Sequence, residues 1–221
     1  MKNAAVIGGG FIGIEMAENL RHAGLEVSLI ESAQQVMAPL DFEMAQILHE
    51  HIRENGIQLY LGDGVSAFED KGDTVTVKLK SGKTVSADMV ILSIGVRPNS
   101  ELAKNAGLEL NARGGIIVNE NMRTSDKHIY AVGDVIEVED FVSKERTMVS
   151  LADPANKQGR IAADVLAGRN AAYQETQSSS VSKIFDLTAA STGANEKTLI
   201  KRLLSIRILM QDIILVQRLL Q

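Results

Sequence analysis

Three glycines, Gly8, Gly10 and Gly13, stand in the spacing G-x-G-x-x-G between a short apolar run at residues 4–7 and a segment with Ile14, Ala17, Leu20 and Ala23 at helical spacing. Such a turn suits a pyrophosphate. The first glycine permits the tight turn, the second lets backbone approach the ligand, and the third lets helix and strand pack closely. The helix N-terminus adds unpaired amides and the positive end of its dipole. An acid about 20 residues further on accepts hydrogen bonds from a ribose diol. Glu31 occupies that place, just after a second apolar run at residues 27–30. A glycine turn without a ligand is the competing reading, and the agreement of strand, helix and acid favours dinucleotide binding. No Arg or Lys follows Glu31 through Leu40, so nothing in that stretch would receive a 2'-phosphate, and NADH is favoured over NADPH.

Residues 124–134, TSDKHIYAVGD, are the second place where chemistry could sit. Their pattern predicts a strand at 129–132 ending in Gly133 and Asp134 at the carboxyl edge of a sheet, where doubly wound folds bind ligands. A capped turn is the alternative. Histidine adds little: His49 and His51 lie two apart on one helix, point to different faces and cannot share a metal, which predicts solvated side chains.

The elements that must hold these residues alternate. A strand at 4–7, a helix ending near Gly24 and a strand at 27–30 form a unit of about 30 residues, the size of a parallel crossover. Asp41 then opens a helix carrying Met44, Ile47, Leu48 and Ile52, which stops at Asn55 and Gly56 before a strand at 57–61. This alternation predicts an α/β fold with a parallel sheet covered on both faces. Strands at 65–68, 74–79 and 84–86, separated by turn residues, predict an antiparallel meander. A buried strand at 89–93 leads to Gly95 and Pro98, a plausible boundary. Beyond it come strands at 116–118 and 129–132, a helix over about 155–166 closed by Gly168, and a short linker at 178–180.

Composition excludes several classes of function. The chain has 221 residues, 45% hydrophobic and 23% charged, and a formal net charge of -5. That is ordinary for a globular protein and unsuited to nucleic acid. With no cysteine, it can form no disulfide, thiolate metal site or thiol nucleophile. The N-terminal residues lack a signal-peptide pattern, which points to the cytoplasm. The most apolar stretch, residues 203–220, is broken by Arg207, Asp212 and Arg218, short of the roughly 20 residues a membrane helix needs.

Taken in order, these segments resemble the pyridine nucleotide-disulfide oxidoreductases. Residues 8–15, GGGFIGIE, resemble the NAD(P)H-domain fingerprint, and residues 95–99, GVRPN, resemble the link back to the FAD domain. Residues 124–134 resemble the second flavin-binding motif, and residues 154–160, PANKQGR, the helix start facing the flavin pyrimidine ring. Lys183 to Thr188, Thr192, Gly193 and residues 195–198 resemble the opening of the dimerisation domain in the coenzyme A-disulfide reductase and NADH oxidase branch.

The resemblance implies a Rossmann-like NAD(P)-binding domain with an antiparallel meander at 1–94. It implies the C-terminal half of an FAD-binding Rossmann-like domain at 95–175, and the start of an α+β dimerisation domain at 176–200. Gly8, Gly10, Gly13 and Glu31 would hold NAD(H), with Glu15 near the nicotinamide end, and Gly95 would be a further cofactor-binding residue. Gly133 and Asp134 would meet the FAD ribitol, Ala155 would present its amide to the flavin, and Asn156 would touch coenzyme A. Phe11 has two readings, a flavin-shielding gate and a core aromatic. The implied activity carries hydride from NADH to FAD and then to a cysteine, persulfide or oxygen acceptor.

Family members carry a preceding segment with a further glycine-rich motif and the redox cysteine, neither of which lies in these 221 residues. The chain is therefore expected to lack full activity alone. It reads as an NAD(H)-binding fragment or as half of a split flavoenzyme, with a homodimer expected for the full-length parent. The resemblance stops near Leu199, and residues 201–221 read as a tail foreign to the family. Synonymous codons for residues 205–217 can be chosen so that the frame displaced by two bases encodes HPDSHAGYYPGA. That peptide resembles the next stretch of the dimerisation domain, so a frameshift near Ile200 is the expected origin of the tail.

Overall fold

The computed structural model describes residues 1–201 and the pair Val216–Gln217; the expectations for the tail lie almost wholly outside the described residues. Backbone contacts divide the described residues into two compact units, one built from Met1–Gly95, Val181–Ser191 and residues 195–201, the other from Val96–Ser180 and Thr192–Ala194.

The first unit opens with β1 (Asn3–Ile7), α1 (Phe11–His22) and β2 (Glu26–Glu31), followed by α2 (Phe42–Glu54) and β3 (Ile57–Leu61). The meander β4 (Val65–Asp70), β5 (Val75–Leu79) and β6 (Thr84–Ala87) comes next, then β7 (Met89–Leu92). Four parallel strands stand in the order β3-β2-β1-β7. Successive strand residues face opposite sides. Val6, Val27 and Leu29 accordingly join Ile14 and Ala17 of α1 and Leu48 and Ile52 of α2 in one core, while Ala5, Ile7 and Ile30 join Val77, Leu79 and Val85 of the meander in another. The sheet is covered on both faces, by helices on one and by the antiparallel meander on the other.

On α2 the buried residues are Ala45, Leu48, His49 and Ile52, an i, i+3, i+4, i+7 stripe. Two expectations fail against this stripe. Ile47 falls off it and is 49% exposed. His49 falls on it and, far from being solvated, is 1% exposed. Its Nε2 accepts a hydrogen bond from the Val36 backbone N–H at 3.1 Å, so the buried imidazole satisfies a buried donor. His51 is half-buried rather than solvated, paired with Asp186 at 2.9 Å and set edge-on to Phe185. Asp41 stands at the expected N-cap without capping through its side chain; its Oδ1 instead accepts the Glu196 N–H at 2.9 Å.

The second unit contains α3 (Glu101–Asn105), β8 (Val138–Glu139), β9 (Arg146–Thr147) and α4 (Ala152–Leu166). α3 is one short turn that hydrophobic periodicity does not register. The strands expected at 116–118 and 129–132 are not formed; isolated bridges link Ile116 to Leu110 and Ile136, and Tyr130 to Arg123. Their backbone groups pair with distant segments one bridge at a time, as when Ile116 N–H meets Val135 O and Ala131 N–H meets Met122 O, and a turn such as Ile129 N–H to Asp126 O interrupts the pairing before a ladder forms. Their side chains still build a core, with Ile116, Val118, Met122, Ile136 and Val138 buried around Ala162. α4 starts three residues before the expected 155 because Pro154 fits a first turn, where its missing N–H has no intrahelical partner to lose.

The chain then returns to the first unit as a hairpin, β10 (Ser180–Ile184) and β11 (Leu187–Ser191), followed by α5 (Glu196–Lys201). β10 takes up the last residue of the expected linker. Ile184, Leu187 and Ala189 enter the α1/α2 core, and His22 packs edge-on against Phe185 at 5.4 Å.

The buried His49 makes the first unit sensitive to acid. Burial, then Arg53 nearby, lowers its pKa, and Glu50 opposes this. The unfolded chain therefore binds the proton more readily, so His49's contribution is whole above the ordinary value of about 6.5 and declines as pH falls below it. Thermal unfolding followed from pH 7 to pH 5 should show falling stability, and His49→Ala should flatten that slope. At neutral pH the same variant should cost about 3 kcal/mol, because it opens a cavity and strands the Val36 N–H.

Candidate functional site

The cleft of interest lies in the first unit, at the carboxyl ends of β1, β2 and β7, where a doubly wound sheet binds its ligand. It measures about 640 Å³ and is lined by Gly8, Gly9 and Gly10, by Glu31 to Ala33, by Gln35, Met37 and Ala38, and by Leu92 to Gly95. The meander closes it with Gly64, Ser66, Phe68 and Lys80.

The glycines differ in what they do. Gly8 has φ +109, and a methyl there would meet the Ser93 carbonyl oxygen at 2.4 Å. At Gly13 a methyl would lie 1.8 Å from the Gly8 carbonyl oxygen, so only glycine lets α1 seat against the turn. Ser93 fastens the same point, its hydroxyl donating to Ile7 O at 2.9 Å and lying 3.1 Å from Gly8 O. Gly10 is unlike both: nothing lies within 4 Å of where a methyl would stand. It is the N-cap of α1, with no side-chain cap and no acid in the first turn. The helix therefore begins with amides that lack intrahelical partners beside an open space.

Glu31 is tied into the loop as well as facing the cleft. Its Oε2 accepts the Gly9 N–H at 2.6 Å, and its Oε1 accepts the Ala33 N–H at 2.8 Å and the Ser32 hydroxyl at 3.1 Å. A carboxylate offers about four acceptor positions, so one stays available. Glu15 is exposed on α1, and Phe11 is half-buried, packed against the α1/α2 core.

In the second unit, Gly133 N–H donates to the buried Gln158 Oε1 at 2.7 Å, and the Ala155 methyl lies 3.9 Å from where a methyl on Gly133 would stand. Gly133 and the first turns of α4 are thereby brought together. Asp134 is exposed. Asn156 is exposed too, its Nδ2 donating to Ala152 O at 2.8 Å within its own helix.

Sequence reasoning missed Ser93, Phe68 and Lys80 on the cleft wall. Phe68 and Lys80 come from the meander, far from the glycine turn in the chain, and no local motif signals them. No helix among the described residues is long and apolar enough to cross a membrane.

The chain resembles known proteins over most of its length. The chain is 42% identical over 193 residues to an NADH oxidase of Methanocaldococcus jannaschii, covering 87% of this chain and 43% of that protein. It is 34% identical to an NAD(P)H coenzyme A polysulfide/persulfide reductase of Pyrococcus horikoshii, covering 91% and 45%. Among solved structures, reduced CoADR-RHD of Bacillus anthracis matches with TM-score 0.87 at 56% identity, over 91% of this chain and 36% of that one. A NAD-dependent persulfide reductase from A. fulgidus matches with TM-score 0.88 at 39% identity, over 91% and 37%. The chain thus spans less than half the length of these relatives. Residues 1–159 match the family model for pyridine nucleotide-disulphide oxidoreductases, and the chain belongs to that family.

Proposed function

We propose that the first unit binds NAD(H), with NADH preferred, and that the second supplies part of a flavin site. One observation carries the reading: Gly8 and Gly13 are filled by the fold, whereas Gly10 opens onto a cleft bordered by helix amides and the Glu31 carboxylate. Those amides suit a pyrophosphate, and the remaining Glu31 lone pair suits a ribose hydroxyl. A 2'-phosphate would stand beside that carboxylate, which favours NADH. Glu15 would lie near the nicotinamide end, Gly95 lines the cleft, and Phe11 would serve as gate or core aromatic.

In the second unit, Gly133 and the exposed Asp134 would hold the FAD ribitol, Ala155 would offer its amide to the ring, and Asn156 would meet coenzyme A. The exposed Asp134 carboxylate fits a polyol. Domains at 1–94, 95–175 and 176–200 go with this assignment, and the resemblance to the family supports a homodimeric parent and a cytoplasmic site of action as further proposals. FAD held there would supply the hydride chemistry, from NADH through the flavin to a thiol, persulfide or oxygen acceptor. These 221 residues contain no cysteine. A thiol step therefore needs a residue from elsewhere, and the chain alone is an NAD(H)-binding module.

Titration of the 221-residue chain with NADH, followed by nicotinamide fluorescence, should show saturable binding, and NADPH should bind more weakly. Added FAD should give little retained yellow absorbance and no sustained NADH oxidation; retained flavin with turnover would overturn the module reading. Absence of NADH binding would sink the site assignment itself.

Two substitutions separate architecture from ligand. Gly13→Ala should lower stability by about 3 kcal/mol through overpacking. Gly10→Ala should change stability by less than about 1 kcal/mol yet weaken NADH by about tenfold or more, a loss of about 1.4 kcal/mol. Thermal melts and the same titration read both effects.

A further inference from the structure

The wall of the cleft formed by residues 35–38 belongs to the connection between β2 and α2, which has no regular structure of its own. It nevertheless touches the glycine turn directly. Met37 N–H donates to Gly9 O at 2.8 Å, and Val36 leaves no room for a side chain at Gly9, its Cγ1 lying 2.7 Å from where a methyl would stand. Met37 itself has φ +51 while only 2% exposed. A non-glycine residue holds that backbone only when its surroundings impose it.

Much of that imposition comes from more than 150 residues away in the chain. Asn195, 8% exposed, donates from Nδ2 to Ala38 O at 2.9 Å and Pro39 O at 3.2 Å. Its Oδ1 accepts the Thr198 N–H and hydroxyl at 2.9 and 2.8 Å, so both ends of the amide are committed. Lys197 Nζ donates to Gln35 Oε1 at 3.1 Å and to Leu40 O. Gln35 Nε2 closes the ring on Leu40 O at 3.0 Å, and the Glu196 N–H takes Asp41 Oδ1.

We propose that Asn195 and Lys197 are positioning residues for the dinucleotide: they lock the connection at 35–41 so that Met37 holds the Gly9 peptide in its ligand-ready place. The proposal rests on the assignment of NAD(H) to this cleft. Neither side chain need touch the ligand. The ammonium and the amide bind carbonyls whose positions fix where Met37 stands, and Met37 fixes the turn between Gly8 and Gly10. Linkage makes the effect reciprocal. A ligand that prefers the locked turn also tightens the contact with residues 195–198.

The test compares the 221-residue chain with Asn195→Ala, Lys197→Met and Lys197→Arg by NADH fluorescence titration and by hydrogen exchange. Asn195→Ala and Lys197→Met should raise the Kd for NADH about tenfold and accelerate exchange at residues 35–41 while β1 and β2 keep their protection. Lys197→Arg, which still donates to carbonyls, should restore most of the affinity. Saturating NADH should slow exchange at 195–198 in the parent chain. If the parent binds NADH and the folded variants bind it within twofold, the proposal is wrong while the assignment of the cleft stands. If the parent does not bind NADH, both fall. Should Asn195→Ala fail to fold, the milder Lys197→Met and its arginine partner decide the question. A purely structural role would lower the melting temperature without moving Kd or the ligand-dependent protection.

Discussion

Everything in the first unit hangs on the contact between Gly13 and the carbonyl of Gly8. With a methyl excluded at 1.8 Å, α1 can lie directly on the turn that leaves β1, and that closeness fixes the direction of the helix. β1 is then held between β2 and β7, so the end of the helix, the end of the central strand and the carboxylate closing β2 converge on one cleft. Bulk at position 13 would push the helix away and separate the parts. Ser93 reinforces the contact from β7, its hydroxyl reaching both Ile7 and Gly8 carbonyls.

Much of this was legible because it is local and periodic. β1, α1, β2, α2 and β3 follow from apolar spacing, and the turn between β1 and α1 from glycine spacing; the meander follows from alternation broken by turn residues. Even the error at Ile47 is one of phase along a helix whose existence and ends were right. The second unit was less legible for a physical reason. Apolar residues such as Ile116 and Val118 are buried as any strand residue would be, but the backbone there pairs in isolated bridges instead of continuous ladders. Burial leaves its mark in composition, and the choice of backbone partner does not.

The site divides the same way. Residues that act through the backbone turn, Gly8, Gly10 and Gly13, announce themselves by spacing. Residues that arrive from a distance do not: Lys80 comes from the turn after β5, His49 from a helix stripe, and Asn195 and Lys197 from beyond the second unit. His49 was misjudged because two histidines two apart on a helix predict different faces without saying which face is buried. The Val36 N–H settles it, since a buried donor requires an acceptor and His49 Nε2 is the one that reaches it.

Glu31 and Gly10 carry unequal weight as witnesses of function. Glu31 has structural duties: it receives the Gly9 and Ala33 amides and the Ser32 hydroxyl, so an acid there would be useful to the loop without any ligand. Its presence is compatible with dinucleotide binding and is also explained by folding. Gly10 has no such explanation. Its φ of -78 is open to any residue, and no neighbour crowds the place of a side chain. A helix N-cap is better served by Ser, Asp or Asn, whose side chains would accept the first amides. Such a side chain would also fill the space and occupy the amides that an anion needs. The glycine the fold does not require is therefore the residue that speaks most directly for a ligand.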